Sequence, residues 1–212
     1  MLASVSTVKD SLPNVERFVA RNLGNGIDHM FVFLDADQPD LSEYLSAHPH
    51  VTLVEADGAG WWDRGRPDGL NRRQHVNSNV IKALLTRYDW AQWLFHIDSD
   101  EVVHLDRDRL EGLPEETRIV NLAPLELASQ DDGQAAPTSY KRLLADDELL
   151  LLKALGAIER PTNETYFHGH VGGKSGIRPA LDGDSRWSTR SQGAERPGRT
   201  SRWSSVGLWM PV

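Results

Sequence analysis

The stretch WLFHIDSDEVV, residues 93–103, brings an apolar run to an abrupt end in a group of acidic residues. The apolar part is typical of a buried strand. Asp98, Asp100 and Glu101 follow it almost without interruption. Neighbouring carboxylates repel one another, and each raises the pKa of the other unless a cation or hydrogen-bond donors offset the charge. The stretch therefore predicts a buried strand whose end needs a binding partner for its carboxylates.

Strand and helix patterns alternate along the chain before and after this stretch. Apolar or β-rich runs predict five strands, at 2–8, 29–34, 51–55, 90–97 and 118–122. Helical patterns lie between them, at 14–22, 41–47 and about 74–87, and residues 58–71 have the composition of a loop. Because strands and helices alternate, the fold class expected is α/β, with a mainly parallel sheet flanked by helices.

Charged residues follow four of the predicted strands. They are Lys9 and Asp10, Asp35 and Asp37, Glu55 and Asp57, and Asp98 and Asp100. In open sheets of this kind, ligands bind outside the carboxyl ends of the strands. We therefore expect these charged residues to gather along one edge of the sheet and to form a binding site there.

Composition limits the classes of partner. The 212 residues carry a formal net charge of −8, which argues against a general nucleic-acid or anionic-membrane binder. The absence of cysteine excludes disulfides and thiolate metal sites. The sequence shows no secretory signal pattern at its start and no apolar run of the roughly 20 residues that a membrane span needs. A cytoplasmic protein without a membrane span is expected, and its oligomeric state is left open.

Two regions differ in character. Residues 1–183 hold the alternating pattern and are expected to form one domain. Residues 184–212 carry five arginines against two acids, and no strand or helix period runs through them. Such a composition does not easily bury enough apolar surface to offset the entropy of ordering. We expect an irregular, poorly ordered tail that packs on the domain through Trp187 or Trp203 at most.

Three stretches in order resemble the family 2-like glycosyltransferases, nucleotide-sugar enzymes with the GT-A fold. They are residues 8–40, then RRQHVNSNVI (72–81) with the strand and DxD motif at 90–103, and GKSGIRP (173–179). The resemblance covers roughly residues 3–180. It implies a Rossmann-like sheet and transfer of a sugar from a nucleotide-sugar donor to an unknown acceptor. It also implies Mn²⁺ or Mg²⁺ as cofactor, ions that favour carboxylate oxygens and substrate phosphates.

The resemblance also implies a metal site after the fourth strand. Asp100 would bind the metal, and Asp98 would contact the ribose or belong to the metal shell. His170, close to the Gly-Lys-Ser stretch, is the preferred metal-site or acceptor-site histidine, although a histidine in a loop is commonly not a ligand.

Nucleotide-binding roles follow from the same resemblance. Lys9 and Asp10 would line the base pocket, Asp35 would face the nucleoside, and Lys174 would lie near the phosphates. A lysine and a metal together would neutralise the charge that grows on a departing nucleoside diphosphate.

An inverting transferase needs a general base for the acceptor hydroxyl. Glu126, after the fifth predicted strand, is the residue we favour, with Asp131 and Asp132 as alternatives. Its other interpretation is an exposed acid at a strand end.

Two other functions fit parts of the sequence. DSDEV, residues 98–102, also fits the motif of haloacid-dehalogenase-like phosphatases, in which the first aspartate is a nucleophile. That family carries the motif on its first strand, whereas three strands are predicted before it here. The second alternative is a degenerate glycosyltransferase domain that binds a nucleotide without turnover.

Overall fold

The computed structural model describes residues 1–58, 60–128, 139–169, 171–181 and 205–211, with only the backbone in the last range. These residues form one sheet that is flanked by helices. The strands are β1 (Leu2–Val8), β2 (His29–Leu34), β3 (Val51–Glu55), β4 (Trp93–His96), β5 (Glu101–Leu105), β6 (Ile119–Leu127), β7 (Tyr140–Arg142), β8 (Lys174–Ile177) and β9 (Ser205–Pro211). The helices are α1 (Leu12–Gly24), α2 (Pro39–Ala47), α3 (Leu70–Leu85), α4 (Arg107–Glu111), α5 (Asp146–Ala154) and α6 (Asn163–Tyr166).

The first half of the sheet is parallel. Strands β3, β2, β1 and β4 are neighbours in that order, and all three pairings between them are parallel. The registers align Val8 with Leu34, and Leu34 with Glu55. The carboxyl ends of these four strands therefore meet at one edge of the sheet, which confirms the predicted α/β class.

The second half is mostly antiparallel. Strand β8 lies between β4 and β6 and is antiparallel to both. The backbone of β9 pairs in parallel with β6 and in antiparallel with β5. Strand β7 pairs in antiparallel with the end of β6. Because β8 runs against β4, its first residue, Lys174, lies at the same edge as the carboxyl end of β4.

Apolar residues at successive positions of a strand pack on opposite faces of the sheet. Met30, Val32 and Leu34 of β2 pack on the face that α1 and α2 cover, whereas Phe31 and Phe33 pack on the face that α3 covers. The side chains of successive residues in a strand point to opposite faces, so an uninterrupted apolar run is what a strand covered on both faces requires. This explains why residues 29–34 were recognisable as a strand.

Most predicted elements of the first half are confirmed, with shifts at their ends. The third helix begins at Leu70 rather than near Gln74, so Arg73 belongs to it. The predicted irregular tail needs one change, because the backbone of Ser205–Pro211 forms the strand β9. Residues 182–204, with Trp187 and Trp203, lie outside the described residues.

No helix in the described ranges is both long and apolar enough to cross a bilayer.

Gly176 allows β8 to fit against β4. A Cβ atom on Gly176 would lie 2.3 Å from Cε1 of Phe95, a fully buried ring on β4. We expect Gly176→Ala to lower the free energy of unfolding by about 1–3 kcal/mol, the usual cost of overpacking a core. Urea denaturation measures this effect.

Gly24→Ala is the matched control for this substitution. Gly24 is exposed at the end of α1, and nothing lies within 4 Å of its Cβ position. Because alanine favours a helix over glycine, this variant should be as stable as the parent or slightly more so. If Gly176→Ala lowered the free energy of unfolding by no more than Gly24→Ala changes it, the close packing of β8 on β4 would be contradicted.

Candidate functional site at the carboxyl edge of the sheet

The acidic residues after β4 form a closed turn. The Asp98 backbone N–H donates to Oε2 of Glu101 over 3.0 Å, and the Glu101 backbone N–H donates back to the Asp98 carbonyl over 3.1 Å. Glu101 is the first residue of β5 and is only 6% exposed. These two reciprocal bonds fix the direction of the turn, and they leave Asp100 exposed at its tip.

Lys174 reaches this turn from the central strand β8. Its Nζ lies 2.5 Å from Oδ2 of Asp98 and 3.0 Å from Oε2 of Glu101, and 13% of its side chain is exposed. Gly173, just before it, has φ of +66°, and a Cβ there would lie 2.0 Å from the Leu122 carbonyl oxygen. The glycine therefore lets β8 approach β6 closely, which places Lys174 over the carboxylates.

Two further side chains surround Asp98. Gln74, in the first turns of α3, donates from Nε2 to Oδ1 of Asp98 over 2.7 Å. Nε2 of His96 lies 3.9 Å from the same oxygen. Burial lowers the pKa of His96 to about 4, although Asp98 works in the opposite direction, so the ring is neutral near pH 7. Gln74 therefore donates to one oxygen of Asp98, and Lys174 donates to the other.

The charges of the cluster depend on burial and on Lys174. Burial works to raise the pKa of Asp98, but Lys174 and His96 outweigh it and hold that pKa below its ordinary value. Burial raises the pKa of Glu101 to about 7, with Lys174 opposing the rise and Asp98 adding to it. Burial works to lower the pKa of Lys174, but Glu101 and Asp98 raise it on balance. Asp98 and Lys174 are therefore a charged pair at neutral pH.

The fit of a divalent metal rests on Asp98 and Asp100. The described residues hold no group of three or more His, Asp or Glu side chains that could bind a metal. Mg²⁺ sites for nucleotides commonly need only one or two carboxylates, since water and phosphates supply the other ligands. Asp100 fits this requirement because it is exposed, whereas Asp98 is engaged with Lys174. His170 lies outside the described residues, so its role stays a prediction.

Asp35, at the end of β2, is part of a different ion pair. Only 2% of its side chain is exposed, and its carboxylate accepts from Nη2 of Arg73 over 2.7 Å and pairs with Arg66 over 2.8 Å. Arg73 also donates to the carbonyls of Pro67 and Asp68, both over 2.7 Å. Asp35 thus ties the loop before α3 to the sheet edge. Its contact with a nucleoside stays a prediction, and Arg66, with 37% of its side chain exposed, is the outer member of this group.

Lys9 and Asp10 follow β1 at the same edge. Oδ1 of Asp10 accepts from the Ser11 backbone N–H and from Asn14, both over 2.7 Å, so this carboxylate stabilises the start of α1. Gln38 donates to the Asp10 carbonyl over 2.8 Å and links the ends of β1 and β2. Lys9 is exposed. The Asp10 carboxylate is therefore held at the start of α1, and the contact of Lys9 and Asp10 with a base stays a prediction.

Glu126 lies further along β6. Its Oε1 accepts from Lys141 on β7 over 2.5 Å, and its Oε2 accepts from the backbone N–H groups of His168 and Gly169, both over 2.6 Å. Burial works to raise its pKa, but Lys141 and the two backbone donors lower it on balance. The carboxylate is therefore ionised, as a base must be, but its three donors reduce its basicity. Asp131 and Asp132 lie outside the described residues.

Three side chains that shape this edge were not predicted from the sequence. Gln74 orients Asp98, Arg73 neutralises Asp35, and Asn77 of α3 links Trp61 to β1 by accepting from Nε1 of Trp61 and donating to Thr7. All three belong to RRQHVNSNVI, the segment that resembles the glycosyltransferases. Their spacing of three and four residues places Arg73, Gln74 and Asn77 near one face of α3, a signal that could have identified them.

No protein-family model matches this sequence, and neither does any curated protein. Solved structures with similar backbones include transferases. One is a mannose-1-phosphate geranyltransferase from Thermus thermophilus, with 14% identity and a TM-score of 0.39 over 85% of this chain and 58% of that one. A second is HddC from Yersinia pseudotuberculosis, with 11% identity and a TM-score of 0.39 over 99% of this chain and 89% of that one.

A third similar structure is a glycosyltransferase involved in glycosylation of the major capsid of PBCV-1, with 8% identity and a TM-score of 0.29 over 86% of this chain and 62% of that one. The chain thus spans 58% of the length of the Thermus protein.

Proposed function

We propose that this chain is a glycosyltransferase that moves a sugar from a nucleotide-sugar donor to an acceptor, with Mn²⁺ or Mg²⁺ as cofactor. The observation that supports this most is the arrangement at the end of β4. A half-buried Asp98 pairs with Lys174, and an exposed Asp100 follows two positions later in the same turn, at the edge where four parallel strands end. Ligands of open α/β sheets bind at this edge.

The donor's diphosphate is the group that this arrangement suits. Lys174 carries a positive charge on a flexible stem, and it supplies a donor for phosphate oxygens. Asp100, with Asp98 beside it, would hold the divalent ion, which supplies charge neutralisation for the departing nucleoside diphosphate. Gln74 keeps Asp98 in a fixed orientation through the hydrogen bond to Oδ1. Lys9 and Asp10 would contact the base. Asp35 would hold Arg66 in place, and Arg66 would contact the nucleoside.

Glu126 is the proposed acceptor base. Lys141 and two backbone N–H groups hold its carboxylate in place and ionised. Glu126 lies four positions beyond Leu122, the residue opposite Lys174, which is about 13 Å along an extended strand. An acceptor hydroxyl would have to lie between these two points.

A nucleotide-binding domain without turnover is the second candidate. The observation that favours it is the set of three donors on Glu126, which makes this carboxylate a weaker base than a solvated one. No observation of this kind favours the phosphatase alternative. Asp98 follows the fourth strand and not the first, and both of its carboxylate oxygens accept hydrogen bonds.

A panel of nucleotide sugars with and without Mn²⁺ tests the proposal. A ligand that binds only the folded state raises its stability by about 2.7 kcal/mol at a hundredfold excess over Kd. For a chain of this size, that is a rise in Tm of roughly 5–10 °C. We expect one donor to produce this rise in the presence of Mn²⁺ and a much smaller rise with EDTA.

Product analysis then separates the candidates. Release of nucleoside diphosphate over time supports a transferase, whereas binding without release supports the domain without turnover. Hydrolysis of p-nitrophenyl phosphate in place of donor binding would support the phosphatase. If no nucleotide sugar shifts Tm with either metal, the proposed function is wrong.

A further inference from the structure

Lys174 occupies the position that a cation at Asp98 would need. Its ammonium lies 2.5 Å from one carboxylate and 3.0 Å from another, in a site where 13% of the lysine side chain is exposed. A metal ion bound to Oδ2 of Asp98 would meet this ammonium at contact distance. Two cations cannot share that oxygen without strong repulsion, which is little screened in a partly buried site.

The backbone of Lys174 is fixed, whereas its side chain is a flexible four-carbon stem. Lys174 pairs with Leu122, and β8 is held by strands on both sides, so the Cα atom stays at the sheet edge. The lysine stem has four rotatable carbons and ends in a single charged group. The ammonium can therefore leave Asp98 when a stronger anionic partner lies near the edge.

We propose that Lys174 is an internal counter-ion that competes with the divalent metal for Asp98, and that the diphosphate of the donor draws the ammonium away. This inference rests on the proposed function. Metal and donor then bind cooperatively. The diphosphate draws the ammonium of Lys174 away from Asp98, which frees Asp98 for the metal, and the metal in turn frees the ammonium for the diphosphate. Such coupling is reciprocal, so the donor raises the metal affinity by the same factor as the metal raises the donor affinity.

Metal binding in the absence of nucleotide tests this directly. Free Mn²⁺ can be followed by electron paramagnetic resonance as protein is added. An opposite charge within about 4–6 Å lowers a carboxylate pKa by about 1–3 units, which is a tenfold to thousandfold effect on proton affinity. Removing that charge should favour a divalent ion at least as strongly, so Lys174→Met is expected to bind Mn²⁺ at least about tenfold more tightly than the parent.

Three variants complete the design. Lys174→Gln removes the charge but keeps a hydrogen-bond donor for Asp98, so it gives the same test if Lys174→Met does not fold. Lys174→Arg keeps the charge and should bind Mn²⁺ no more tightly than the parent. Lys153→Met makes the same change of charge on the exposed side of α5 and should also leave Mn²⁺ affinity unchanged.

The outcomes separate this inference from the proposed function. If the parent binds Mn²⁺ alone as tightly as the two uncharged variants do, Lys174 does not compete and this inference is wrong. If Mn²⁺ binds neither parent nor variants, even with a nucleoside diphosphate present, the metal part of the proposed function fails as well. A nucleoside diphosphate should raise the Mn²⁺ affinity of the parent by a larger factor than that of Lys174→Met.

Discussion

Asp100→Asn is expected to abolish Mn²⁺-dependent binding of a nucleoside diphosphate while the fold remains intact. Asp100 is exposed at the tip of the turn after β4, and its side chain has no hydrogen bond or ion pair within the ranges that the structure describes. The substitution therefore removes little from the folded state. It removes a charged oxygen ligand, and because losing even an indirect metal contact costs 10–100-fold in affinity, we expect a loss of at least about 100-fold.

Asp89→Asn provides the matched control for Asp100→Asn. Asp89 is exposed in the turn between α3 and β4, at the opposite end of β4, so this variant has the same net charge without touching the carboxyl edge. Titration calorimetry with a nucleoside diphosphate and Mn²⁺ should give parental affinity for Asp89→Asn. If both variants kept the parental affinity, Asp100 would not be a metal ligand.

Arg73→Met should lower the free energy of unfolding by about 3–5 kcal/mol, the cost of breaking a buried ion pair by removing one partner. Arg73 donates to both oxygens of Asp35, which is buried, and to two carbonyls of the loop before α3. Among the described residues, the variant would leave Asp35 with the half-exposed Arg66 as its ion-pair partner. Because α3 also carries Gln74, Mn²⁺-dependent nucleotide binding should weaken together with stability.

Arg142→Met repeats the same chemical change in an exposed pair. Arg142 and Glu148 lie 2.5 Å apart, but 62% of the arginine side chain is exposed. Solvent screens an exposed pair and leaves it little effect on stability, so this variant should unfold at nearly the parental urea concentration. If Arg73→Met and Arg142→Met lowered the free energy of unfolding equally, burial would not make the Arg73–Asp35 pair more stabilising than the exposed Arg142–Glu148 pair.

The first half of the fold could be predicted because its signals are local. An uninterrupted apolar run such as residues 29–34 is recognisable without knowledge of its neighbours, and so are the acids that follow it. Parallel pairing then brings the strand ends together without further information. The order of the acidic residues along the chain was therefore enough to place Asp98 and Asp35 at one edge of the sheet.

The partners of these acids could not be predicted in the same way. The ion pairs of Asp35 were not predicted because its arginines come 31 and 38 positions later, on a loop and a helix whose direction no local pattern shows. The strand KSGI at 174–177 contains a glycine and too few apolar residues to be recognised, and only its neighbours β4 and β6 make it a strand. Lys174 could consequently be predicted to lie near phosphates, but its pairing with Asp98 could not be predicted.

The central position of β8 has a consequence for folding kinetics. About 80 positions of sequence separate β8 from its partner β4, so the middle of the sheet closes through a contact of high sequence separation, which slows folding. Until β8 inserts, β4 and β6 present unpaired edges, and such edges favour association between chains. Lys174 reaches Asp98 only in this same step. Recovery of nucleotide binding during refolding should therefore coincide with the insertion of β8 and should not precede it.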